Sequence, residues 1–196
     1  LALFGTAYAK ASNAGKRIVI TDSEHPSVSA CASELERRGF QIVRIPTEKG
    51  VVNEDALLSS VDSKTFLVSV MTVNNESGAE YDIKRLVKLC KRANPDVIFH
   101  TDATQAFMKT QVNAKLTGAD LITVSGHKIG APKGIGALYV GGDIIRRKAI
   151  SPHIFGGGQE GGIRSGTENV IHIHAFAAAV EYGMKNYSEN VKNTEL

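Results

Sequence analysis

The chain has 196 residues, 42% hydrophobic and 22% charged, with a formal net charge of +3. That length buries one sizeable core, and so small and scattered a charge excludes neither sign of partner by force but favours no nucleic acid and no membrane surface. Two cysteines, Cys31 and Cys90, make no disulfide framework, no apolar run reaches the roughly 20 residues that span a bilayer, and no basic-then-apolar leader is visible, so a cytoplasmic location is expected.

The sequence opens in helix-like material without an initial methionine. Residues 17–21 are a short β-branched run that reads as a buried strand, followed by the polar stretch Thr21-Asp22-Ser23-Glu24-His25-Pro26. Val28, Cys31, Ala32 and Leu35 then recur at helical spacing, with Gly39 as the stop. Strand-like runs follow at 41–45 and 65–70, the second ending in Val73-Asn74-Asn75-Glu76-Ser77-Gly78. Ile83, Leu86, Val87 and Cys90 repeat the helical stripe before Pro95. Three further runs, 96–101, 121–124 and 135–140, predict strands, and Ile173, Phe176, Ala177, Val180 and Met184 predict a last helix. Strands alternating with helices predict a single three-layer α/β/α domain over residues 1–196, with a mostly parallel sheet. Both cysteines fall on helical apolar stripes and read as core residues.

Ligands of such sheets sit at the carboxyl ends of strands, so the chemistry-bearing residues are sought there. The run 121–124 leads straight into Ser125-Gly126-His127-Lys128. A lysine in that place is expected to be partly desolvated, which favours the neutral amine that condenses with an aldehyde; taken alone, a solvated loop lysine fits as well. The run 96–101 ends in Asp102. A carboxylate there suits the pyridine nitrogen of pyridoxal phosphate (PLP), whose protonation makes the ring an electron sink, although a helix N-cap is the alternative. Gln105 and the Asn74-Asn75 pair offer donors to a ring oxygen, His25 an imidazole to stack on the ring, and Ser125 and His127 donors to a phosphate. For His25 a solvated loop, and for the Asn-rich stretch a turn, are the alternatives. Gly134-Ile135-Gly136 lacks a third glycine and precedes a strand, so it is no dinucleotide fingerprint. His172 and His174, two apart on a predicted helix, make a poor metal pair, and no metal is expected.

Four segments together resemble the NifS/IscS-like cysteine desulfurases, class-V aminotransferases of PLP fold type I. They are Val73 through Gly78, His100-Thr101-Asp102-Ala103-Thr104-Gln105-Ala106, Ser125 through Lys128 and onward to Val140, and Gly156-Gly157-Gly158-Gln159-Glu160-Gly161-Gly162 on through Arg164-Ser165-Gly166-Thr167-Glu168-Asn169. The likeness implies the large, PLP-binding domain, with Lys128 carrying the cofactor and later acting as the proton-transfer base. It implies Asp102 against the ring nitrogen, His25 over the ring, Gln105 and Asn75 at its oxygen or the substrate, and Ser125 and His127 on the phosphate. Thr167 would reach the phosphate of a second subunit, which implies a homodimer.

The implied reaction takes L-cysteine to L-alanine and passes sulfur to an enzyme cysteine, then to an acceptor protein for iron–sulfur cluster assembly or tRNA thiolation. Three family features have no counterpart here: the catalytic-cysteine loop, the arginine for the substrate carboxylate, and the glycine/threonine phosphate loop ahead of the position of Leu1. Neither Cys31 nor Cys90 matches that cysteine. A large domain cut at both ends, inactive by itself, is therefore expected. A selenocysteine lyase or other class-V enzyme, and a non-catalytic scaffold of the same fold, are the alternatives.

Overall fold

The computed structural model describes residues 1–10 and 15–193. Helix α1 (Ala2–Lys10) leads to β1 (Arg17–Thr21), α2 (Pro26–Arg37) and β2 (Gln41–Ile45). A two-strand hairpin, β3 (Thr47–Glu48) and β4 (Val51–Val52), precedes α3 (Glu54–Ser60), β5 (Thr65–Ser69), α4 (Ile83–Ala93) and β6 (Ile98–Asp102). Then come α5 (Ala114–Thr117), β7 (Leu121–Ser125), a 3₁₀ turn at Gly126–Ile129, β8 (Gly136–Val140) and α6 (Gly142–Arg146). A second 3₁₀ turn at Glu160–Gly162 is followed by α7 (Val170–Lys185) and α8 (Tyr187–Lys192).

Local chemistry explains where the main helices start. Pro26 opens α2, pre-set to helical φ, and the His25 ring accepts from the Ser27 amide as its cap. Asp82 Oδ1 accepts from the Arg85 amide at 2.9 Å to start α4, whose buried stripe is Ile83, Leu86, Val87 and Cys90. Asn94 closes that helix, and its side chain donates to the carbonyls of Asp62 and Thr65, tying the stop to the start of β5.

The main sheet runs β2-β1-β5-β6-β7-β8, parallel except for β8, which pairs antiparallel with β7. Alternation along each strand splits the core between the two faces. Val19, Val68 and Phe99 join Leu86, Val87 and Cys90 of α4 on one side. Ile18, Ile20, Leu67 and Ile98 join Leu3 of α1 and Val28 and Leu35 of α2 on the other. The chain steps outward from β1 to β2, then returns to lay β5 on the other side of β1. That reversal makes β1 and β5 a topological switch point, and a crevice opens at their carboxyl ends.

The long elements agree with the expected ones, with two corrections. The run beginning at Asp96 enters the sheet at Ile98 and extends through Asp102, so the carboxylate is the last residue of its strand and not a helix cap. The Ile173–Met184 stripe on α7 is not its buried face: Ile173 is 41% and Met184 66% exposed, and Gly183 is the residue it buries. The helix is apolar on nearly every side, so periodicity does not select one face. Contact through Phe107 to Phe176 and Met108 to Gly183 does. No helix among the described residues is long and apolar enough to cross a membrane.

Candidate active site

The crevice holds a cavity of about 400 Å³ lined by His25, Asn75, Asp102, Gln105, Ser125, His127 and Lys128, with Met71, Val73 and Thr123 among its walls. Seven of the eight residues singled out in the sequence thus meet, each at or just beyond the carboxyl end of a strand: β1 brings His25, β5 Asn75, β6 Asp102 and Gln105, and β7 the rest. Thr167 is the exception. It is exposed and lines a separate cleft with Gly136 and Leu138 beside β8.

Asp102 is 7% exposed, and its Oδ1 accepts from the Thr104 amide at 2.9 Å, which fixes the carboxylate at the cavity wall. Two residues back on the same strand, His100 is fully interior. Its Nδ1 meets the Ser69 hydroxyl and its Nε2 the Thr123 hydroxyl, each at 2.8 Å, so one imidazole bridges β5, β6 and β7. Burial holds that ring well below its ordinary value, at about 4, against the pull of Asp102, so it is a neutral strut. Thr72 and Thr101 join their hydroxyls at 2.8 Å beside it.

His25 Nδ1 accepts from the Ser27 amide at 3.2 Å and lies 2.9 Å from the Ser27 hydroxyl, leaving Nε2 as the protonated nitrogen. The imidazole is therefore pinned at the cavity edge by its role as a helix cap. Asn74 is 8% exposed and organises the facing loop. Its Oδ1 accepts from the amides of Glu76 and Ser77, and its Nδ2 donates to the Ser23 carbonyl at 3.0 Å. Of the two asparagines, Asn74 is the brace and Asn75 the one that faces the cavity.

Lys128 sits on the 3₁₀ turn after β7 and is exposed. The partial desolvation expected for it is not seen in this chain, where the side chain is exposed. What the fold supplies is placement: Gly126 is buried so tightly against Ile135 that a Cβ there would lie 2.9 Å from its side chain, which brings the turn down onto β8. The Ser125 hydroxyl and His127 Nδ1 lie 2.8 Å apart at the lysine's base.

Lys109 was not singled out by the sequence reading. Its ammonium donates to Gln105 Oε1 at 3.3 Å, which leaves the Gln105 amide nitrogen as the donor for the cavity. Burial and then the Lys128 charge push the Lys109 ammonium below its ordinary value. Glu24 was missed as well, and so was His100. They lay inside motifs already under inspection, but burial of a polar residue leaves no periodic trace in sequence. Cys90 is buried, with its thiol pushed up to about 12 by burial, as a core residue should be; Cys31 is half-buried against the α1–α2 side.

Residues 1–196 match the family model described as aminotransferase class-V. The chain belongs to that family. It is 39% identical over 197 residues to a protein named cysteine desulfurase IscS from Clostridium botulinum strain Hall, covering 100% of this chain and 48% of the relative. A solved structure called a NifS-like protein superposes with a TM-score of 0.90 at 34% identity, covering 96% of this chain and 50% of that one. Another, titled SspA in complex with cysteine, gives 0.84 at 34% identity, covering 92% and 51%. The chain spans about half the length of the curated relatives it matches. These class-V neighbours share the three-layer architecture and the mostly parallel sheet.

Proposed function

We propose that this chain is the cofactor-binding large domain of a PLP-dependent cysteine desulfurase, which takes L-cysteine to L-alanine and passes the sulfur to an enzyme cysteine and on to an acceptor protein. The observation that carries the reading is the meeting of Lys128, Asp102, Gln105 and His25 on one cavity at the switch point. The donor set fits PLP: a primary amine, a buried carboxylate, an amide with its nitrogen free, an imidazole at the edge, and a hydroxyl–imidazole pair next to the lysine.

PLP, when bound, supplies an aldehyde that captures amines and a ring that withdraws electron pairs from the carbon next to them. Asp102 would hold the proton on the ring nitrogen, and its fixed carboxylate needs no rearrangement to do so. His25 would cover one ring face, Gln105 and Asn75 would donate to the ring oxygen, and Ser125 and His127 would hold the phosphate. Lys128 would anchor the cofactor through its amine and, once displaced by the substrate amine, move a proton on and off the substrate carbon. Neither cysteine of this chain suits the sulfur-accepting step. Cys90 is sealed in the core, and Cys31 does not line the cavity.

A homodimer belongs to the same proposal, with Thr167 completing the partner's phosphate site, as does a cytoplasmic setting. Support for association comes from the apolar side chains that α7 leaves exposed, Val170 at 70% and Ile171 at 80%. Delivery of the sulfur to iron–sulfur cluster assembly or tRNA thiolation rests on the resemblance to IscS-type relatives.

The test is to add PLP to the purified chain, fix any adduct with borohydride and locate it by mass spectrometry. The expected adduct is on Lys128, and Lys128→Ala should lose it together with the visible absorbance band. Labelling of a different lysine, or none in a longer protein that holds both halves, would sink the reading.

A further inference from the structure

Glu24 lies one residue before His25 and is 7% exposed. Its Oε1 accepts from the Thr21 hydroxyl at 2.6 Å and from the Met71 amide at 2.8 Å. The first bond stays within the loop that leaves β1. The second crosses the switch point to the chain that leaves β5, so one oxygen ties together the two walls of the crevice. Oε2 is buried and has no hydrogen-bond partner among the described residues.

The other groups around it leave its charge unanswered. Asp102, at the end of β6, is the charged group whose field reaches Glu24, and it is of the same sign. On Glu24's own loop, Asp22 Oδ1 is taken by the Thr47 amide and hydroxyl, Ser23 turns to the Tyr81 hydroxyl, and the His25 ring turns to Ser27. An ionised Glu24 would hold a buried oxygen without a partner among the described residues and would repel Asp102. Both of its hydrogen bonds use Oε1 as an acceptor, and neither needs a charge.

We propose that Glu24 is a positioning residue, kept as a neutral acid, that clamps the His25 loop to the Met71 chain and leaves Asp102 as the carboxylate that meets the ring nitrogen. The role toward the ring rests on the PLP reading above; the neutral clamp does not. Burial pushes the Glu24 carboxyl up from the ordinary 4.5 to about 7, with Asp102 adding to the rise and the Thr21 and Met71 bonds opposing it. A folded-state value raised in this way stabilises the protein at low pH, and the contribution is lost as pH climbs from 4.5 through about 7.

The experiment is thermal unfolding of the 196-residue chain and its Glu24→Gln and Glu24→Ala variants at several pH values. A neutral amide keeps the acceptor and cannot ionise. Glu24→Gln should therefore match the parent near pH 5 and exceed it by about 5 °C near pH 8, while Glu24→Ala is lower at both. A constant gap, or one that moves against Gln as pH rises, would overturn the proposal, since it would mean that the carboxylate is ionised in place. PLP loading is followed in parallel by absorbance: Gln should preserve the band that Ala weakens. If the parent takes no PLP, the unfolding series still decides Glu24, and the functional reading is decided by loading of the longer protein that holds both halves. If PLP loads normally but the gap stays flat, the clamp fails and the functional reading stands.

Discussion

His100 illustrates how a polar residue at the centre of a sheet serves a site it does not enter. Hydrogen-bonded on both ring nitrogens across β5, β6 and β7, it holds the strand that ends in Asp102 in register with the one that leads to Lys128. Because burial lowers its value to about 4 from 6.5, the unfolded chain binds the proton first as pH falls. Stability from this group is therefore complete above 6.5 and declines as pH drops toward 4. Replacing His100 with Gln, measured by urea unfolding, should flatten that acid limb. It should also cost about 1–3 kcal/mol at neutral pH, since buried hydroxyls lose partners. This acid limb runs opposite to the Glu24 effect, which is why Glu24 is read from the difference between variants and not from one profile.

At the scale of elements, helices with a narrow apolar stripe were legible from sequence. α4 is the clearest case: the stripe Ile83, Leu86, Val87 and Cys90 is its buried face, and the structure adds Asp82 as the cap and Asn94 as the stop. Asp82→Ala should cost about 1 kcal/mol, seen as a lower urea midpoint with an unchanged slope. α7 was legible as a helix but not in its orientation. The hairpin of β3 and β4 and the short helices α3, α5 and α6 escaped altogether. Segments of two to seven residues are held by contacts with the rest of the fold, and their own patterns are too brief to declare a period.

The whole molecule presents a finished core beside an unfinished surface. Interior side chains such as Phe99 and Leu67 are wholly enclosed, whereas Val170, Ile171, Tyr182 and Met184 of α7 and Phe155 are between 66% and 80% exposed. Apolar surface of that extent is expected to be covered by protein. In the proposed dimer, Ile171→Asp should shift sedimentation toward the monomer while leaving the unfolding midpoint of the monomer within about 0.5 kcal/mol of the parent, as surface substitutions do. Monomeric behaviour of the parent itself across concentration would remove the basis for Thr167 acting in trans.

Sequence by itself determined the order of strands and helices and the segments that carry His25, Asn75, Asp102, Gln105 and Lys128, because apolar runs, helical stripes and stop signals are short-range properties of the chain. Tertiary structure decided that these segments meet. Parallel pairing joins strands distant in sequence, and only the reversal between β1 and β5 opens a crevice where their ends converge. It also decided which polar residues are interior. Glu24 and Asp22 are close neighbours in one loop, yet one is enclosed and the other exposed, and that difference follows from what the rest of the fold packs against each.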